Sequence, residues 1–197
     1  RIQLELADNS VSWQDKGAEQ SIQLGSGQLL WTPKQDGWEL SSGELTLADA
    51  SQQWQSLNFS LQRSAEQWLG TVQQFPLGVL TPLAGLFVDD IAPLQQLVAY
   101  QPDGELQHLA WRVSEDSWQL QGSFRNVSSL PVGDVPGLNK LDGDFLMSPE
   151  LIKLQLDSVD SQLNWDGLFA SATPYDGLTA TLYATKPAAN CGRPSSA

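Results

Sequence analysis

The 197-residue sequence predicts a mainly β fold, a long antiparallel meander of roughly ten or more strands. Three observations carry the prediction. Apolar and polar residues alternate along most of the chain, as in Trp118-Gln-Leu-Gln-Gly-Ser-Phe124. Turn residues separate the runs, among them five Asp-Gly pairs at Asp36-Gly37, Asp103-Gly104, Asp142-Gly143, Asp166-Gly167 and Asp176-Gly177. Helix-period sequence is nearly confined to one stretch around 76–99. Alternation gives each strand an apolar and a wet face, because successive side chains point to opposite sides. Asp-Gly suits tight hairpins because both residues tolerate positive φ.

The first strand is read at Ile2, Leu4 and Leu6, which alternate with Gln3 and Glu5. Leu45 and Leu47 follow the same rule, then Leu57, Phe59 and Leu61 against Asn58, Ser60 and Gln62. The stretch Gln62–Trp68 is ambiguous. Between Phe75 and Phe87 the chain is apolar but broken by Pro76 and Pro82, too short to span a membrane. Ile91, Leu94, Leu97 and Val98 have helical spacing, with Asp90 placed to cap and Pro93 in the first turn, so one or two short helices are expected around 76–99. Strands resume over 101–185, with Ile152, Leu154 and Leu156 in one and Leu178, Ala180, Leu182 and Ala184 in the last. Residues 126–139 are loop-rich, and 186–197 read as a disordered tail. A short echo links two places: Trp31 and Trp38 flank one polar turn, and Trp111 and Trp118 flank another at the same spacing.

Composition excludes several functions. A net charge of −13 opposes nucleic-acid binding and adsorption to anionic lipid heads. Cys191 is the only cysteine and His108 the only histidine, so neither an intrachain disulfide nor a Cys/His zinc site can be assembled. No signal peptide is visible and Arg1 is not an initiator, so the chain is expected to be an interior piece of something longer.

Candidate chemistry is sparse. Asp89-Asp90, Glu115-Asp116 and Asp142/Asp144 are the carboxylate pairs a glycosidase would need, but each sits in or beside a predicted turn, where Asp serves the backbone. His108 reads as a surface histidine opposite Leu109 and Trp111. No serine has a nucleophile-elbow context and no phosphate-binding loop occurs. No enzyme activity and no cofactor are expected. Of the eight tryptophans, Trp38 shares parity with Leu40, Trp111 with Leu109, Trp118 with Leu120 and Trp165 with Leu163. They belong to the apolar face, which favours core or groove lining over an exposed sugar platform.

About twenty helical residues cannot roof such a sheet. Either it folds on itself as a sandwich, which pattern alone favours, or it curls into an open trough completed by an apolar ligand. Leu97-Val-Ala-Tyr-Gln-Pro-Asp-Gly-Glu-Leu106, after a Leu/Pro-rich stretch, resembles a passage of the YhdP-type central region in the AsmA-like family. The segments Trp118–Ser128, Val135–Phe145 and Leu168–Ala180 resemble it in the same order, so that 75–184 carries the likeness and 1–74 shares only its style. The resemblance implies a taco-like open β-groove spanning 1–185, part of a longer protein of Gram-negative envelopes. It implies tethering to the inner membrane by an anchor outside this chain, a periplasmic location, and phospholipid acyl chains as partners during transport toward the outer membrane. The expected lining is Trp38, Leu40, Leu57, Phe59, Trp111, Trp118, Leu120, Phe124, Leu154, Leu156, Leu178 and Leu182. A carbohydrate- or protein-binding β-sandwich of a bacterial surface protein is the alternative, and a glycosidase fragment the third reading.

Overall fold

The computed structural model describes residues 1–15, 18–48, 53–80, 99–164 and 172–185. The segments 81–98 and 186–197, Trp165, the Asp89-Asp90 pair and Asp166-Gly167 lie outside the described residues. So does most of the expected helical stretch; its described ends are a 3-10 turn at Leu77–Val79 and single helical residues at Leu80 and Ala99.

Among the described residues twelve strands form one sheet: β1 (Ile2–Asp15), β2 (Ala18–Lys34), β3 (Gly37–Ser42), β4 (Leu45–Ala48), β5 (Gln53–Leu57), β6 (Phe59–Ser64), β7 (Gln67–Pro76), β8 (Asp103–Ser114), β9 (Trp118–Ser129), β10 (Gly137–Met147), β11 (Leu151–Asn164) and β12 (Thr173–Thr185). Every pairing is antiparallel. β3 and β4 pair with β2 in one continuous register, Leu29 opposite Ser42 and Leu24 opposite Leu47, so they are one long strand interrupted at Gly43. β5 and β6 are likewise parted only by Asn58. The sheet is thus a meander in chain order, and the sandwich favoured by pattern alone does not form among the described residues.

Local irregularity curls this sheet. In mid-strand, β8 to β11 each hold a non-glycine residue at positive φ: His108 (51°), Asn126 (51°), Lys140 (57°) and Asp160 (52°). Around the first three the cross-strand register shifts, as a bulge requires. A bulge bends its strand and sharpens the right-handed twist. The backbone groups it frees find side chains. Asn126 N–H donates to Asp142 Oδ1 (2.6 Å), Lys140 N–H to Ser128 Oγ (3.2 Å) and Asp142 N–H to Ser158 Oγ (2.7 Å). The Ser158 hydroxyl, only 1% exposed, donates back to the Asp142 carbonyl (3.0 Å).

These bulges correct the turn assignment. Asp36-Gly37 does close the β2–β3 hairpin, but Asp142-Gly143 and Asp176-Gly177 lie inside β10 and β12, and Asp103-Gly104 begins β8. Hairpin tips fall instead at 65–66, 115–117 and 148–150. Glycine inside a strand here makes room rather than a turn. A Cβ on Gly143 would come within 2.5 Å of Phe124 Cζ, and one on Gly70 would fall inside the Trp111 ring.

Gly70→Ala should therefore destabilise the chain by about 1–3 kcal/mol through overpacking. Gly177→Ala, with nothing within 4 Å of the new methyl, should change stability by less than about 0.5 kcal/mol. Ser158→Ala leaves the Asp142 N–H without its acceptor and should cost about 1–3 kcal/mol. Urea unfolding followed by tryptophan fluorescence checks all three.

Candidate functional site

Directly paired residues in an antiparallel ladder project to the same face, so register identifies which side chains share a surface. One row of partners runs unbroken across ten strands: Ile2, Trp31, Leu40, Leu61, Gly70, Trp111, Leu120, Met147, Ile152 and Ala184. None carries a charge. One residue along each strand, the row on the opposite face reads Gln3, Leu30, Ser41, Ser60, Thr71, Ala110, Gln121, Leu146, Lys153 and Tyr183. At about 4.8 Å per strand, the apolar row is roughly 43 Å long.

The expected lining residues all map to that apolar face. Leu40, Trp111 and Leu120 belong to the row itself, and Trp38 and Trp118 stand two residues beyond it toward the hairpin tips. Leu154 is opposite Phe145 and Leu182, and Leu156 is linked through Gly143 to Phe124. Phe59 pairs with Val72, Leu57 with Leu45, and Leu178 with Ser158. The expected lining leaves out Leu61 and Ile152, which parity groups with Phe59 and Leu154, and it also leaves out Trp31, Trp68, Phe145 and Met147 from the same surface. Trp68 follows Arg63, a charge in an apolar position that breaks the alternation, and Phe145 follows an Asp-Gly pair that resembles a turn.

Burial divides this face into a packed middle and open margins. Phe124 and Leu156 are 8% exposed and Val72 7%, with the Phe124 and Phe145 rings stacked at 6.5 Å. Toward the margins, Ile2, Leu4, Trp31, Val113, Trp118, Ile152 and Leu182 are 37–62% exposed, large apolar groups in water. One end of the same face is covered from within the chain. Val79 of the 3-10 turn is fully buried against Ile22 and Leu47, with Trp13, Leu24 and Leu57 packed around them.

Among the described residues the carboxylate pairs do not converge on a cleft. Asp142 accepts from Asn126 N–H, and Asp144 accepts from the Ser123 hydroxyl (2.6 Å) with Arg125 3.9 Å away. Glu115 and Asp116 sit exposed in the β8–β9 turn, and His108 is exposed at its bulge. Among the described residues no three His, Cys, Asp or Glu side chains come together, and no helix is long and apolar enough to cross a membrane.

If the middle of the face is packed and its margin open, truncations there differ in cost. Phe124→Ala should lose about 3–5 kcal/mol and Leu182→Ala less than about 1 kcal/mol, read from urea midpoints.

Searches of curated proteins and of solved structures return no match. The family model described as "YhdP protein" matches residues 1–190, nearly the whole sequence. With its single open antiparallel sheet and continuous apolar face, the chain belongs to the YhdP family, a lipid-transport family of the bacterial envelope.

Proposed function

We propose that residues 1–185 form one groove segment of a longer periplasmic protein, tethered to the inner membrane by an anchor outside this chain. Its apolar face shields phospholipid acyl chains as lipid passes between the inner and outer membranes. The observation that carries this reading is the ten-residue apolar row on a single-layer sheet whose margins leave Trp118 41% and Leu182 54% exposed. Exposed apolar surface of this extent is unfavourable in water, and each buried acyl methylene recovers about 0.8 kcal/mol. The surface offers no hydrogen-bond pattern along the row, so it holds chains without fixing their position along it. That suits passage rather than storage, and it needs neither cofactor nor catalysis. Trp38, Leu40, Leu57, Phe59, Trp111, Trp118, Leu120, Phe124, Leu154, Leu156, Leu178 and Leu182 act as the lining in this reading. A binding sandwich would require a second sheet over this face, and the described strands form one.

Photo-crosslinking residues placed in cells at Leu120 and Leu154, with Gln119 and Gln155 as controls on the other face, test it. Phospholipid adducts at the first pair and not the second are expected. Adducts at neither pair, or at both equally, would contradict it.

A further inference from the structure

We infer that one rim of the groove is a headgroup site, with Arg63 as its phosphate contact, and that the headgroup it fits is zwitterionic. This rests on the lipid-shielding reading above. The rim is the edge bearing the β2–β3, β6–β7 and β8–β9 turns. Along it the face continues as Pro33, Trp38, Arg63, Trp68, Val113 and Trp118, each paired with the next. Arg63 is the one charged residue in this row. Its Cζ lies 4.8 Å above the Trp68 ring, and Trp38 meets Trp68 edge-on at 5.6 Å. A cation on an apolar face is tolerated when its head reaches water or an anion, and Arg63 is exposed.

Lys34, by the β2–β3 turn, pairs with Glu39 (2.8 Å), whereas neither ion pair among the described residues includes Arg63. Arg112, the other cation near this rim, stands one residue from Val113 and so on the opposite face. A guanidinium presents a fork of donors that matches a phosphate. Five of the eight tryptophans lie in the two rows nearest this rim, the residue type that favours a boundary between apolar and wet surroundings. Charge then selects the headgroup. Glu66 and Glu115 line the same depression as Arg63 and Trp68, about 250 Å³ in volume. A phosphodiester on Arg63 leaves its ammonium beside two carboxylates, while the chain's net charge of −13 repels a purely anionic head.

The test uses the full chain with vesicles of phosphatidylethanolamine carrying a photoreactive group either on the headgroup or at the acyl end. Headgroup adducts are expected on peptides containing Trp38, Trp68 or Trp118. They should fall roughly threefold to tenfold in Arg63→Gln and by a smaller factor in Arg63→Lys, which keeps the charge and loses the fork, with acyl adducts unchanged in both. A phosphatidylglycerol headgroup probe should label more weakly, and excess inorganic phosphate should not displace the lipid. Acyl adducts with headgroup labelling that is indifferent to Arg63, or that maps to 130–135 on the opposite rim, overturn the headgroup site alone. Stronger labelling by phosphatidylglycerol overturns the zwitterionic assignment, and displacement by phosphate shows a phosphate site instead. Absence of acyl adducts on the wild-type chain overturns the lipid reading and the site together.

Discussion

A single layer of strands paired in chain order satisfies the backbone of all but its edges and still leaves one face without a partner. Everything else in this protein depends on that constraint. Hydrogen bonding between neighbours ties each side chain's face to that of its cross-strand partner, so a charge or an aromatic ring on one strand is felt along the whole row. The row from Ile2 to Ala184 is apolar throughout because any polar exception would sit between apolar partners. With all twelve strands committed to one sheet, no second layer remains among the described residues to cover it.

The curl is the sheet's own partial answer. Bulges at His108, Asn126 and Lys140 bend consecutive strands, and bending brings Phe124, Phe145 and Leu156 together in the middle of the face. The side chains of Asp142, Ser158 and Ser128 keep those bends from leaving backbone N–H groups unpaired. Glycines at 70 and 143 let aromatic rings from the next strand lie over the backbone. Curling alone does not bury the margins, and the 3-10 turn covers only the end around Ile22 and Leu47. Among the described residues the margins at Trp118 and Leu182 stay exposed.

Much of this was legible in the sequence because parity is local: Trp118, Leu120 and Phe124 announce a shared face before any partner is known. The two-tryptophan echo was legible for the same reason, since Trp31 faces Leu40 as Trp111 faces Leu120. Bulges were not, because a register shift is a property of two strands and leaves no compulsory mark on one. Asp142-Gly143 carries the chemistry of a hairpin turn and is used inside a strand, while Met147-Ser-Pro-Glu-Leu151 makes a hairpin without Asp-Gly. Openness was illegible too. A sandwich and a groove share the same alternation, and only the order of all the strands separates them. Arg63 shows the same limit: in sequence it interrupts a pattern, and only its partners Trp38 and Trp68 place it on the apolar face.

In the proposed function acyl chains, and not protein or water, complete this face. Nitroxide labels at Leu4, Leu120, Leu154 and Leu182, compared with labels at Gln119, Gln155 and Thr181, test it most directly by electron paramagnetic resonance on the full chain with bound phospholipid. The first set is expected to become accessible to oxygen and shielded from a polar nickel chelate, while the second set stays accessible to the chelate. Equal accessibility of the two sets to the chelate, with or without lipid, would contradict it.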